Sequence, residues 1–320
     1  MNIRLIFVSA LLWSCASYRP SEKFAGSSYY GPIMDKYQFH RAKSLNESLR
    51  EKLNLSGAEN LKYVLFKQYY RDFIAETPGK ERLYIIGERR RAIEDNFQKD
   101  FYKVFAIVLY TEKQAPRQGR RSKFPLADNS NQNIAKNFVL SVQDFSGDGL
   151  DDLFFGFVGE SQSYYYMYRF KGMELQAIVR PWNSFSDSES KASKYYSPFM
   201  RELSADIYPA FVAEIELELN YKINIDLSPL ADDLIRDKVY DKQGLVLRKQ
   251  GIPHLDFNPI LFPIWDESGK YMLRSVQQVR SRYGQIGILV CNWIFREEGE
   301  PAARWLPVES SMEFLTKPRI

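Results

Sequence analysis

The sequence contains little cysteine and little histidine. Its 320 residues include two cysteines, Cys15 and Cys291, and two histidines, His40 and His254. Two cysteines exclude a small scaffold that is stapled by several disulfide bonds. Two histidines argue against a histidine-rich zinc site and against an active site that depends on histidine.

The sequence also lacks a strong charge of one sign. It has 44 Lys and Arg residues against 40 Asp and Glu residues, and the two signs alternate along most of the chain. A net charge of +4 is too weak and too mixed to predict nucleic-acid binding, so no nucleic-acid partner is expected. The 45% of hydrophobic residues exclude a disordered chain, and the length fits one large domain or two ordinary ones.

Common catalytic motifs are absent from the sequence. It has no Gly-x-Ser-x-Gly elbow, P-loop, dinucleotide-binding glycine motif, His-Glu-x-x-His or Cys-x-x-Cys. Glu214, Glu216 and Glu218 alternate along one run and leave a carboxylate-dependent secreted hydrolase as an alternative, although three acids on the solvent-exposed face of a strand are the commoner explanation. No catalytic or organic-cofactor-binding residue is therefore predicted.

No hydrophobic run is long enough to cross a bilayer. Residues 5–13 form an apolar stretch of nine residues after Arg4, as in a secretory signal, whereas a membrane-spanning helix needs about 20. The segment Leu12-Trp13-Ser14-Cys15 resembles a bacterial lipobox, with a bulky Trp13 where a small residue is usual. The resemblance implies a signal peptide over 1–14 and an acyl chain such as palmitate on Cys15. The expected location is the bacterial cell envelope, with a membrane as partner.

A cleaved signal peptide without lipidation is the alternative, and Cys15 could then pair with Cys291. If Cys15 is acylated, Cys291 stands alone in an apolar run that is typical of a buried strand. Turn-forming residues dominate residues 16–35, so we expect a tether over 15–40 and a globular part over 41–320.

Hydrophobic periodicity in the globular part predicts an α+β fold that is mainly antiparallel β. Helices are expected over residues 44–55 and 229–236, and the alternating run 214–226 indicates one long strand. Residues 111–135 are polar and basic, which predicts a surface loop near which any internal division is expected. Arg120, Arg121 and Lys123 of this loop could contact anionic lipid or polysaccharide, or only water.

Residues 144–152 have the composition of a metal-binding loop. Oxygen-bearing side chains fall at its positions one, three, five and nine, and a glycine stands at position six. Calcium takes six to eight oxygen ligands, which a tight loop can supply. The predicted ligands are the side chains of Asp144, Ser146, Asp148 and Asp152 and the carbonyl of Leu150. A metal-free Asp-Gly turn is the alternative.

Residues 142–156 resemble an FG-GAP or VCBS-type repeat, in which an acidic loop between two strands binds calcium. Ser146 replaces the usual Asp or Asn at position three, and a degenerate second copy at 264–273 is expected to be only a hairpin turn. Many copies build a β-propeller in that family, so one good copy predicts that the fold is not a complete propeller. A β-propeller adhesin remains an alternative.

Four tyrosines follow the acidic loop: Tyr164, Tyr165, Tyr166 and Tyr168. They could present a stacking face to a sugar or to a partner protein, or they could be core residues. The sequence as a whole predicts an exported, lipid-anchored binding or structural module with one calcium-stabilised loop and a protein or polysaccharide ligand.

Overall fold

The computed structural model describes residues 35–38, 43–55, 61–77, 79–94, 97–111, 119–128, 137–158, 163–172, 174–179, 203–217, 221–248, 254–255, 259–281, 284–296 and 304–314. The chain divides into two compact units, which span residues 34–178 and 179–320. Antiparallel β-sheets make up most of the described residues, and helices are few. This confirms the mainly β prediction.

Within its described residues, the first unit contains ten strands and one short helix. In chain order they are β1 Asp35–Gln38, β2 Lys43–Ser44, α1 Glu47–Lys52, β3 Leu61–Arg71, β4 Glu81–Glu94, β5 Phe97–Thr111, β6 Gly119–Asp128, β7 Asn137–Gln143, β8 Asp152–Val158, β9 Ser163–Lys171 and β10 Glu174–Val179. The strands form two five-stranded sheets. Sheet I has the order β2-β3-β4-β5-β6, and sheet II has the order β1-β7-β8-β9-β10.

The two sheets pack face to face around one hydrophobic core. Side chains that alternate along β3 to β6 meet side chains that alternate along β7 to β10, as the two-residue period of a strand requires. The rings of Phe66 and Phe138 contact each other across the core at 4.5 Å between centroids. The hydroxyl of Tyr168 donates a hydrogen bond of 2.6 Å to the carbonyl of Leu126. The first unit is therefore a β-sandwich.

Helix α1 covers part of the outer face of sheet I. Its N-cap residue, Asn46, accepts a hydrogen bond of 2.9 Å from the amide of Leu49. Leu49 packs against a second cluster that includes Leu53, Tyr84 and Ile107. The helix predicted over 44–55 is confirmed, although it spans only Glu47–Lys52.

The part of the second unit that the structure describes contains two further sheets. Its elements are β11 Leu203–Ser204, β12 Asp206–Tyr208, β13 Val212–Glu216, β14 Lys222–Asp226, α2 Ala231–Arg236, β15 His254–Leu255, β16 Ile260–Trp265, β17 Tyr271–Ser281, β18 Gly284–Arg296 and β19 Arg304–Phe314, with a 3-10 turn over Ser228–Leu230 before α2. One sheet has the order β11-β15-β17-β18-β19, with β16 also on β17, and the other has the order β12-β13-β14. The helix predicted over 229–236 is confirmed.

Two predictions about individual segments are wrong. The alternating run 214–226 is a hairpin of β13 and β14 rather than one strand, because Glu216 pairs with Lys222. Residues 111–135 are not one surface loop, because β6 lies within them and pairs with β5 inside the first unit. The boundary between the two units falls at residues 178 and 179.

Candidate metal site in the aspartate-rich loop

The predicted loop connects β7 to β8, which are neighbours in sheet II. Gly147 and Gly149 lie in this loop with φ of +76° and +87°. These values favour glycine, because a side chain at positive φ crowds its own backbone. A Cβ atom at either position would have no heavy atom within 4 Å. The backbone path of the loop, and not a lack of space, therefore requires the two glycines.

The carboxylate of Asp144 closes the loop. Its Oδ1 accepts hydrogen bonds from the amides of Gly147 at 2.7 Å and Asp148 at 3.2 Å, and its Oδ2 accepts one from Gly149 at 3.0 Å. The exposed Asp148 accepts a bond of 2.9 Å from the amide of Leu150. A carboxylate surrounded by backbone amides is a strong local acceptor, so Asp144 fixes the turn.

Asp152 begins β8 beneath the loop and is only 1% exposed. Its Oδ2 accepts hydrogen bonds from the amides of Phe145 at 2.8 Å and Ser146 at 2.6 Å. Burial raises the pKa of Asp152 to about 8, against the effect of the Ser146 amide, and the nearby charges of Asp148 and Asp144 raise it further. Without a compensating charge this carboxyl group therefore favours its protonated form in the folded chain.

A second loop, between β3 and β4, lies against the aspartate-rich loop. The amide of Asp151 donates a hydrogen bond of 2.8 Å to the carbonyl of Asp72. Burial raises the pKa of Asp151, and the negative charges of Asp144 and Asp72 add to this effect, whereas the guanidinium of Arg71 opposes it. Sequence reasoning missed this contact, because residues 72 and 151 are far apart in the chain and no motif links them.

The donor atoms of the loop are oxygens, which hard cations such as calcium prefer. All of the predicted ligands offer oxygen, and the hydroxyl of Ser146 is buried beside the carboxyl group of Asp152. Within the described ranges, however, no group of three or more His, Cys, Asp or Glu side chains has an arrangement that could hold a metal ion. The carboxylate of Asp148, one of the predicted ligands, accepts the amide of Leu150 instead. Ligation of a cation therefore requires side chains of the loop to move.

The predicted lipidation site lies outside the described residues, as do residues 1–14 and most of the predicted tether. No helix in the described part of the chain is both long enough and apolar enough to cross a bilayer. Cys291 lies in β18 and is buried as a free thiol. Burial is the main reason that the pKa of this thiol is raised.

The three glutamates that suggested a hydrolase do not form a described acidic pair. Glu214 accepts a hydrogen bond of 2.7 Å from Lys222 and one of 3.4 Å from the hydroxyl of Tyr208. Glu216 is exposed on the same strand, and Glu218 lies outside the described residues. Glu214 is therefore neutralised by a lysine on the neighbouring strand, as is common on a solvated sheet face.

The tyrosines of β9 are core residues rather than a stacking surface. Tyr165 and Tyr168 are buried, and Tyr164 and Tyr166 are half-buried against the sandwich core. The rings of Tyr166 and Tyr168 stack on each other with centroids 6.1 Å apart. Trp182, the next tryptophan along the chain, lies outside the described residues. These four side chains therefore stabilise the first unit.

The fold and the loop together define a mainly antiparallel β protein of two compact units, with an aspartate-rich loop between two strands of a sandwich. No protein-family model, curated protein or solved structure was found that matches this chain.

Proposed function

We propose that the protein is an exported, lipid-anchored binding or structural module of the bacterial cell envelope, stabilised by one calcium ion at the aspartate-rich loop. The observation that carries the calcium part is the environment of Asp152. This carboxyl group is buried next to Asp144 and Asp148, and a bound cation would offset the burial and the repulsion that raise its pKa. The calcium has a structural role, and no residue is assigned a catalytic one.

The ligands in this proposal are the carboxylates of Asp144, Asp148 and Asp152, the hydroxyl of Ser146 and the carbonyl of Leu150. Calcium supplies a localised positive charge that these oxygens can share. Because the loop is already closed by its own amides, the ion has to compete with them for Asp144. We therefore expect weak affinity, with a Kd of about 10⁻⁴ to 10⁻³ M, as in extracellular calcium modules.

The anchor part of the proposal rests on the sequence alone. The short apolar segment over 5–13 and the lipobox-like run that ends at Cys15 support acylation of that cysteine. Acyl chains contribute about 0.8 kcal/mol per buried methylene, so several chains on one cysteine would attach the protein stably to a membrane.

The proposal also includes the fold class: the globular part is an α+β domain and not a complete β-propeller.

Calorimetry on the full chain in mild detergent tests the calcium site. The wild type is expected to bind one calcium ion, and Asp148→Ala is expected to remove the heat of binding. Asp266→Ala is the matched control, because Asp266 closes the β16–β17 hairpin through the amides of Ser268 and Lys270 without a cluster of acids. Absence of calcium binding by the wild type at millimolar calcium contradicts the metal site and leaves the loop as a turn.

Labelling of growing bacteria with radioactive palmitate tests the anchor. The wild type and Cys291→Ala are expected to incorporate the label and to sediment with membranes, whereas Cys15→Ala is expected to do neither. Equal labelling of Cys15→Ala and the wild type contradicts lipidation at this cysteine and leaves the calcium proposal unaffected.

A further inference from the structure

A cationic patch lies on the outer face of sheet I, away from the sandwich core. We define it by Tyr70 on β3, Arg82 on β4, and Arg121 and Lys123 on β6. Tyr70 pairs with Arg82, Arg82 pairs with Leu109 of β5, and Leu109 pairs with Arg121, so one row crosses four strands. In the next row Lys123 pairs with Ile107. Ile107 belongs to the outer cluster beside α1, which places both rows on the outer face.

The patch carries positive charge that no acid of the same rows neutralises. The two rows contain Tyr70, Arg82, Leu109 and Arg121, and Gln68, Tyr84, Ile107 and Lys123. Neither row contains Asp or Glu. All three cations are exposed, and none of them forms an ion pair within the described ranges. The ammonium of Lys123 lies 3.8 Å from the ring centroid of Phe105, which keeps this charge on the sheet surface.

The patch also offers an exposed aromatic ring next to a guanidinium. Tyr70 is 62% exposed, the largest exposure among the exposed hydrophobic side chains of the described residues. Adjacent strands lie about 4.8 Å apart, so the row from Tyr70 to Arg121 extends roughly 14 Å across the sheet. Aromatic rings stack on apolar faces, and guanidinium groups bind carboxylates through two parallel hydrogen bonds. A row of this length can therefore contact a linear chain at several successive units.

We propose that the cationic patch binds an acidic polysaccharide, with Tyr70 stacking on a sugar ring and with Arg82, Arg121 and Lys123 pairing with carboxylate or sulfate groups. The patch fits this ligand better than a lipid surface, because Tyr70 is its only exposed apolar side chain and Leu109 beside it is half-buried. Insertion into a membrane interface needs a larger apolar face. The inference rests on the proposed role as a binding module, but it does not depend on the calcium loop.

Affinity electrophoresis of the full chain in mild detergent tests the proposal, with alginate as the acidic polymer and dextran as the neutral one. The wild type is expected to be retarded by alginate only. The triple variant Arg82→Gln, Arg121→Gln, Lys123→Gln is expected to bind about tenfold more weakly or worse, since each exposed ion pair contributes a fraction of a kcal/mol. The matched control is Lys238→Gln, Lys242→Gln, Lys270→Gln, which removes the same net charge from exposed positions of the second unit. It is expected to bind alginate like the wild type.

Two further variants separate the parts of the argument. Tyr70→Ala is expected to weaken alginate binding with the salt dependence unchanged, because it removes stacking and no charge. Asp148→Ala is expected to bind alginate normally, which distinguishes this surface from the calcium loop. Equal loss in the two triple variants, retardation by dextran, or no retardation of the wild type overturns the proposal. Binding to phosphatidylglycerol vesicles without binding to alginate assigns the patch to a lipid surface and also overturns it.

Discussion

Replacement of Asp152 by asparagine tests the electrostatics of the aspartate-rich loop most directly. Burial is the main reason that the pKa of this carboxyl group rises from 3.8 to about 8 in the folded chain. Between these two values the unfolded chain has lost the proton and the folded chain retains it. Because the folded state then binds more protons, the free energy of unfolding falls as pH rises from about 4 to about 8.

The expected loss of stability is smaller than the maximum that the pKa shift of Asp152 allows. A full shift between the two pKa values corresponds to roughly 5 to 6 kcal/mol, at 1.36 kcal/mol per pH unit. Local opening of the loop can hydrate the carboxylate without unfolding the sandwich, which limits the effect. We therefore expect a loss of about 2 kcal/mol between pH 5 and pH 8 in the metal-free protein. Asp152→Asn should remove this loss, since its amide oxygen can still accept the hydrogen bonds from Phe145 and Ser146.

Urea denaturation, followed by far-ultraviolet circular dichroism, which reports the β-sheets of both units, measures this difference. The wild type, Asp152→Asn and Asp266→Asn are compared at several pH values in the presence of a chelator. Burial alone raises the pKa of Asp266, but hydrogen bonds from Ser268 and Lys270 outweigh it and lower this pKa. Asp266→Asn should therefore retain the loss of stability of the wild type between pH 5 and pH 8.

A wild-type stability that does not change between pH 5 and pH 8 refutes the reasoning, and so does a parallel fall in Asp152→Asn. Millimolar calcium supplies a second criterion. If the ion binds near Asp152, it should reduce the pH dependence of the wild type and leave Asp152→Asn unaffected.

Three further predictions concern packing, capping and thiol reactivity. Gly156→Ala should destabilise the first unit by about 1 to 3 kcal/mol, because the added Cβ would lie 2.6 Å from Cδ1 of Tyr165; thermal denaturation measures this, and an unchanged Tm contradicts it. Asn46→Ala should lower the free energy of unfolding by about 1 kcal/mol and Asn46→Ser by much less, because only alanine removes the N-cap acceptor. Equal urea midpoints for the two variants argue against a capping role. In Cys15→Ala, the buried Cys291 should react with a thiol reagent at pH 8 only after denaturant is added, because burial raises its pKa; rapid reaction of the native chain contradicts this burial.

The sequence predicted side-chain faces better than strand ends. Alternation over 214–226 correctly placed Ile215, Ile223 and Ile225 on the buried side, but it did not reveal the turn. In the hairpin Ile215 pairs with Ile223, and paired residues share a face. The period of two therefore continues unbroken from one strand to the next, so periodicity alone cannot separate a hairpin from a longer strand.

Strand β6 escaped prediction for a different reason. It is the edge strand of sheet I in the described residues, and its exposed positions carry Arg120, Arg121 and Lys123. Only alternate residues such as Phe124 and Leu126 contact the core. Charged side chains are typical of edge strands, where they discourage pairing with another chain, and their composition resembles that of a loop.

The aspartate-rich loop was predicted to join two strands, and in the structure it connects β7 to β8. The sequence could not show that Asp152 is buried while Asp148 is exposed, because both are aspartates in one short motif. That difference depends on tertiary packing, including the contact between Asp151 and Asp72. Calcium binding at this loop stays a prediction.

The pairing of β1 with β7 has a consequence for the order in which the first unit folds. In the described residues, strands β3 to β6 pair only with neighbours in sequence, so each hairpin of sheet I closes through a short connection. By contrast, Asp35 pairs with Leu140, more than a hundred residues further along the chain. Long connections are closed slowly, because their entropy is lost before any contact compensates for it. During synthesis, which starts at the N-terminus, β1 therefore stays without its partner strand until β7 has been made. Sheet II consequently acquires β1, the edge strand beside β7, late in folding.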